Sequence, residues 1–412
     1  MAISSVDSGI HRRGPQHRWV VLAVGVGAQG SFSAMFSGIP VTGIAMRSGY
    51  HLSTGTLGLV LACLGLGVAA SDIVWGLLTD RYGDRRILLT GLTATGALLA
   101  LMATAVTPAD GAGVALLAMC LLLAGALGGS VNGASGRAIL TWFADGERGL
   151  AMSIRQTAIP AGGAVGVALL PWLADTYGFR AVYAAPAAFC LLAAAATWRW
   201  LHEPPPRPRS PEPASPRVAP GNTRSPLRRW DVWRLALSSA LLTVPQFAVL
   251  SFTAIFLHDV KGGHTALASV TVLIAQVGGG AARIWTGRRT DRGGDRRTHL
   301  RAIGVLTGVA MAAAAVLTGA PTPITVAALA LGGLLANSWH GVAYTEIAEM
   351  AGPGRAGTAL GLLGTTLFGV GCLTPLLIPI ALALTSWQAV WALTAAASLL
   401  AVPLSPRPLR AR

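Results

Sequence analysis

Apolar runs of about twenty residues or more recur from Arg18 almost to the end of the chain, separated by short charged or Gly/Pro-rich breaks. A helix crossing a bilayer needs about 20 mostly apolar residues. The breaks place such helices over 18–46, 55–79, 87–107, 112–142, 148–174 and 178–201, then over 232–258, 264–289, 298–319, 323–350, 355–384 and 386–403. The runs are rich in Ala, Leu, Gly and Val and lack the period-two alternation of a barrel strand, so helices are the remaining way to satisfy the backbone in lipid. Between the sixth and seventh runs, His202–Trp230 is dense in Pro, Ser and Arg and has no apolar periodicity, a composition that cannot bury a core. The expected fold is therefore an all-α integral membrane protein of twelve transmembrane helices in two six-helix bundles. It divides into an N-terminal tail (1–17), a first bundle (18–201), a flexible linker (202–231), a second bundle (232–403) and a C-terminal tail (404–412).

Composition agrees with the pattern: 53% of the 412 residues are hydrophobic and 11% charged, with a mean hydropathy of +0.59, against about 25% charged in soluble domains. A net charge of +15 would point to nucleic acid in a soluble protein, but here it is confined to particular loops. Arg137, Arg155 and Arg283 fall within spans and Arg47, Arg180 and Lys261 on one side; every other basic residue lies on the opposite side or in the tails and linker. The bias of Lys and Arg toward cytoplasmic loops then puts both termini in the cytoplasm. Lys261 is the only lysine, and the Arg, Ala, Gly and Pro bias fits a GC-rich bacterial genome. Cys63, Cys120, Cys190 and Cys372 all fall in apolar runs without ligand spacing and read as packing residues. Neither a metal nor a cofactor is expected, and the absence of G-x-x-x-x-G-K-[ST] disfavours ATP-driven pumping. The apolar run from Arg18 to about Met46 is too long for a cleaved signal peptide and is expected to be retained.

The most specific signal is an internal repeat. Gly76-Leu-Leu-Thr-Asp80-Arg81-Tyr-Gly83-Asp84-Arg85-Arg86 returns as Gly287-Arg-Arg-Thr-Asp291-Arg292-Gly-Gly294-Asp295-Arg296-Arg297, at a constant offset of 211 residues. Each copy joins the second and third span of its half on the cytoplasmic side. The glycine permits close helix approach, and Asp80 and Asp291 can cap or face the positive N-terminus of a neighbouring helix. The repeat resembles the G-x-x-x-D-R-x-G-R-R signature of the major facilitator superfamily, over essentially the whole chain. The resemblance implies alternating-access transport and a cytoplasmic gate that clamps the halves together, with Gly76, Asp80, Arg81, Gly287, Asp291 and Arg292 as its residues; Asp72, one turn before Gly76, is assigned to the same gate.

Two stretches that open the fifth span of each half, Arg148–Gly166 and Arg355–Gly364, support that resemblance. The first is loosely similar to the fifth-helix motif of family antiporters, although Ile rather than Gly precedes Pro160. The fourth-helix arginine tied to proton coupling in the family is absent where the chain reads Leu-Leu-Leu-Ala-Gly over 121–125.

Ionisable groups inside spans cost about 2.5–3.5 kcal/mol on the insertion scale and are functional candidates by default. Arg283-x-x-x-Gly287-x-x-x-Asp291 is similar to the oxalate:formate antiporter and monocarboxylate transporter branches, which implies a carboxylate held by Arg283; Gln276 shares its helical face. The eleventh-span lysine of oxalate transport is missing from 356–384, which argues against oxalate itself. The structural alternative for Arg283 is a buried pair with a carboxylate in a span. Arg155 lies about 10 Å along the helix from Arg148 and either reaches the central cavity or snorkels to the surface. Arg137, near Trp142, reads as structural. Asn337, His340 and Tyr344 form a stripe at i, i+3 and i+7, with His340 and Glu346 as proton-coupling candidates beside a core-histidine alternative. Gln29 and Gln246 offer uncharged donors at middle depth, with helix packing as the alternative.

The expected function is secondary active transport of a small organic anion, nearest to a monocarboxylate, across the cytoplasmic membrane, with the proton as coupling ion. Membrane lipid is the expected environment, nucleic acid is no partner, and a monomer is the family's usual working unit. Proton-driven export of a drug or natural product is the alternative; an enzyme is not expected, since no nucleophile and base stand at recognisable spacing.

Overall fold

The computed structural model describes residues 16–202, 224–263, 265–352 and 354–407, and of residues 265 and 266 only the backbone. Both tail ends (1–15 and 408–412) and most of the 202–231 linker therefore lie outside the described residues. The first bundle comprises α1 (His17–Val41), α2 (Gly43–Gly49), α3 (Thr54–Tyr82), α4 (Asp84–Ala105), α5 (Val114–Gly128), α6 (Ser130–Trp142), α7 (Arg148–Tyr177) and α8 (Phe179–Trp200). The second comprises α9 (Trp230–Lys261), α10 (Thr265–Asp291), α11 (Arg296–Val316), α12 (Thr322–Ala336), α13 (His340–Ala351), α14 (Ala356–Leu384) and α15 (Trp387–Leu404). With α5 and α6 joined as one span and α12 and α13 as another, twelve helices are long and apolar enough to cross a membrane.

Three of the expected continuous spans are interrupted. The first ends at Val41, just after Pro40, where Thr42 turns its hydroxyl back to the Ile39 carbonyl (2.7 Å) before the short α2 begins. The fourth breaks at Gly129, where a Cβ would lie 2.6 Å from an Asp72 carboxylate oxygen. The tenth breaks over 337–339, where the Asn337 amide donates to the Gly333 carbonyl (2.9 Å) and competes with the helical ladder. In lipid such irregular backbone is tolerated only where protein or an aqueous cavity receives it.

Each bundle has its own apolar core, around Phe32, Met35 and Tyr183 in the first and around Phe256, Met311 and Trp391 in the second. A further cluster crosses between them, setting Leu140 and Met152 against Val342, Ala343 and Leu360. It lies toward the end of the molecule that carries the repeated loops and the arginines, here termed the basic end. The interface between bundles runs along two seams, α3 against α14 and α7 against α10.

Candidate functional site

The two copies of the repeat do the same thing at opposite seams. Asp80, at the end of α3, accepts hydrogen bonds from the backbone N–H of Gly357 (2.8 Å) and Thr358 (2.7 Å) and from the Thr358 hydroxyl (2.6 Å). Asp291, at the end of α10, accepts from the N–H of Gly149 (2.9 Å) and Leu150 (2.7 Å). Each carboxylate thus occupies the first turn of a helix in the other bundle, where N–H groups lack helical partners and the dipole favours an anion. Glycine is required on both sides: a Cβ on Gly76 would lie 2.4 Å from the Gly357 carbonyl oxygen, and one on Gly287 2.4 Å from that of Gly149.

The cations beside these carboxylates are not the arginines that immediately follow them. Arg81 and Arg292 are exposed, and neither pairs with Asp80 or Asp291. Arg137 stands beside Asp80 (3.5 Å) and pairs with Asp84 (2.8 Å), while Arg296 stands beside Asp291 (3.5 Å) and pairs with Glu349. Glu346 belongs to the same layer, bound to Arg297 at 2.6 Å, away from the residues that line the central cavity.

Above the clamp lies a cavity of about 950 Å³, lined by α1, α7, α9, α10, α13 and α14. Its walls include Phe32, Phe36, Phe247 and Phe368, and its polar groups include Gln29, Gln246, Gln276, His340 and Tyr344, with Arg283 at the floor. At the basic end α7 and α10 are in backbone contact; farther out they diverge, and Val167 and Leu273 line the cavity while being exposed. The molecule is closed at the basic end and open toward the other.

Two buried guanidiniums mark the floor. Arg283 is 2% exposed and donates to the Asn337 carbonyl (2.5 Å), the Asn337 side-chain oxygen (2.9 Å) and, across the seam, the Gln156 carbonyl (2.9 Å). Arg155 is 1% exposed and donates to Ser135 (2.9 Å), Gln29 (2.6 Å) and the Asn132 carbonyl (2.8 Å), with its guanidinium 5.8 Å from the Tyr344 ring centroid. Every acceptor is neutral. Among the described residues neither arginine has a carboxylate within salt-bridge distance, so Arg283 is not half of a buried ion pair and Arg155 does not snorkel. One Arg155 nitrogen, Nη1, has no partner. The break in the tenth span serves Arg283, which takes the Asn337 carbonyl at the end of α12, while Arg155 takes the Asn132 carbonyl in the first turn of α6.

A family model described as Major Facilitator Superfamily matches residues 24–375. The chain belongs to that superfamily. It is 30% identical over 390 residues, covering 94% of this chain and 85% of the relative, to the uncharacterized MFS-type transporter Rv2994 of Mycobacterium tuberculosis. Among solved structures, the facilitator FucP in its outward conformation superposes with a TM-score of 0.72 at 15% identity, over 94% of this chain and 98% of that one. The human organic anion transporter MFSD10 gives 0.74 at 16% identity, over 96% and 100%. The protein is thus a multi-pass membrane transporter with the major facilitator fold.

Within this facilitator the other expected residues separate into three groups. Gln276, Gln246, His340 and Tyr344 line the cavity, with Gln246 Oε1 and His340 Nδ1 buried and unpartnered and His340 stacked on Trp339 at 3.9 Å. Gln29 lines it too, and also bonds Asn132 (3.2 Å). Asn337 stands behind the lining and holds Arg283 in place. The Asp72 carboxylate takes no part in the hydrogen bonds of the loop clamp: it is buried at the α3/α14 seam, a turn deeper than Gly76, and accepts from the Asn132 amide at 3.1 and 3.3 Å. Asn132 was not singled out in the sequence, although an asparagine within an apolar run next to Gly129 is the signal that marks it. Among the described residues no three of His, Cys, Asp and Glu gather to hold a metal.

Proposed function

We propose that this transporter moves a small organic anion, first of all a monocarboxylate, across the bacterial cytoplasmic membrane by alternating access coupled to protons. The carrying observation is the pair of buried, counter-ion-free guanidiniums, Arg283 at the cavity floor and Arg155 behind Gln29. A charge in a membrane span costs about 2.5–3.5 kcal/mol even on the insertion scale, and an anion entering the cavity offsets that cost for both. Arg283 bridges α10, the broken tenth span and α7, so an anion bound to it acts on both bundles at once. The charge bias puts the basic end in the cytoplasm, which makes the present state outward-facing. Asp80 and Asp291 with their partner glycines then form the cytoplasmic gate. His340, which lines the cavity with an unpartnered nitrogen, is the proton candidate within it; Glu346 is engaged by Arg297. We read the working unit as a monomer in lipid that needs no cofactor and no nucleic acid.

Export of a bulkier drug or natural product is favoured by one observation: a cavity of about 950 Å³ walled by four phenylalanines exceeds what a short carboxylate fills. Ligand-dependent thermal stability of the purified protein separates the two readings. Carboxylates of increasing apolar bulk are expected to raise Tm increasingly at a fixed concentration, as the logarithm of concentration over Kd, with matched amines and neutral analogues inert. Stabilisation by cationic amphiphiles alone would reject the anion reading.

A further inference from the structure

The repeat offset pairs Asp72 with Arg283: each lies four residues before the clamp glycine of its half. The two are alike in burial, 1% and 2% exposed, and each binds an asparagine at the interruption of a discontinuous span of its own bundle, Asp72 to Asn132 just past the break and Arg283 to Asn337 where the break begins. They differ in sign and in surroundings. Arg283 faces the seam that opens into the cavity, whereas Asp72 faces the seam that is shut in this state. A Cβ on Gly364 of α14 would lie 2.0 Å from an Asp72 carboxylate oxygen, and the Thr365 hydroxyl donates to the Ala69 carbonyl at 2.8 Å. No residue of α3 lines the cavity.

We propose that Asp72 binds the coupling proton, so that substrate and proton are handled at opposite seams of the molecule. The proposal rests on the proton-coupled reading above and assigns the proton to a residue outside the cavity. In the closed seam Asp72 has one side-chain donor, Asn132, and no cation within salt-bridge distance among the described residues. A carboxyl group is tolerated in such a place as the neutral acid and resisted as the ion. Alternating access must part α3 from α14 at the basic end, breaking the hold of Asp80 on Gly357 and Thr358; water then reaches Asp72 from that end and takes the proton. Closing the seam again requires a proton on the carboxyl.

The groups that face Asp72 leave it as the titrating member. From α14 come Gly361 and Gly364, and from the fourth span Gly129 and Asn132. The nearest charge along the hydrogen-bond chain is Arg155 on α7, reached through Asn132 and Gln29, with the Tyr344 phenol of α13 beyond it. That chain also connects the two seams, because Gln29 lines the cavity and accepts from Arg155.

Asp72→Asn mimics the protonated acid at equal size and is expected to fold. In proteoliposomes it should retain exchange of the transported anion but lose accumulation driven by an imposed pH gradient. A second readout needs no substrate. In a background without native cysteines, Ile73→Cys on α3, at a position that packs on Gly361 of α14 on the basic side of Asp72, reports opening there through its maleimide labelling, followed by peptide mass spectrometry. At mildly basic pH Asp72→Asn in this background should label several-fold more slowly than its parent, and the difference should vanish at mildly acid pH, where the parent's Asp72 keeps its proton. Gradient-driven accumulation by the variant, or equal labelling of both proteins at every pH, overturns the proposal. Failure of every anion tested would defeat the substrate reading alone, since the labelling comparison still decides on Asp72.

Discussion

Replacing Arg283 with Gln is expected to abolish net anion flux while leaving a folded protein in the membrane. Glutamine can still bridge toward Asn337, but it loses the charge and the paired donors of the guanidinium, which in the native protein already serves Asn337 twice and Gln156 once. A hydrogen bond to a charged group contributes about 1.5–3 kcal/mol, so anion affinity should fall about tenfold to 150-fold. Arg283→Lys keeps the charge without the planar fork and should fall between the two. Radiolabelled flux and ligand-induced Tm shifts read the two losses separately. Wild-type flux in the Gln variant would reduce Arg283 to a tie between the tenth span and α7.

The second large effect is conformational. Replacing both Asp80 and Asp291 with Asn removes two anions, each bound to the first-turn N–H groups of a helix in the other bundle. Such a cap contributes about 1–2 kcal/mol. Losing both should shift the equilibrium toward the state open at the basic end by about 30-fold or more. Spin labels at Tyr82 and Arg289, exposed residues of α3 and α10, read this directly: a narrow distance distribution in the parent should become longer and broader in the double variant. An unchanged distribution would mean that the apolar contacts of Leu140 and Met152 with Val342 and Leu360 hold the end shut without the carboxylates.

The twelve spans were legible because lipid demands long apolar runs and the chain interrupts them with arginine-rich loops. The repeat made Asp80 and Asp291 equivalent positions, but nothing in it names Gly357 and Thr358, or Gly149 and Leu150, as the amides they hold. Those contacts join residues far apart in sequence across the two bundles. The breaks at Gly129 and at 337–339 escaped notice because hydropathy averages over a span and is blind to a single turn of lost helix. Glu346 and Arg81 show the same limit: whether an ionisable group faces a cavity, a partner or solvent depends on helix rotation, which the sequence alone leaves open. Asp72 lay close enough to the loop motif to be assigned to it, yet its carboxylate is buried two turns deeper than that of Asp80, against Asn132.

The central claim is that an anion completes the two buried guanidiniums. The most direct measurement is flux into proteoliposomes containing the purified protein, across a panel of carboxylates, amines and neutral compounds, with and without an imposed pH gradient. Uptake confined to carboxylates, driven by the gradient and lost in Arg283→Gln, is the predicted result. Flux of amines or neutral amphiphiles alone, insensitive to that substitution, would contradict the account.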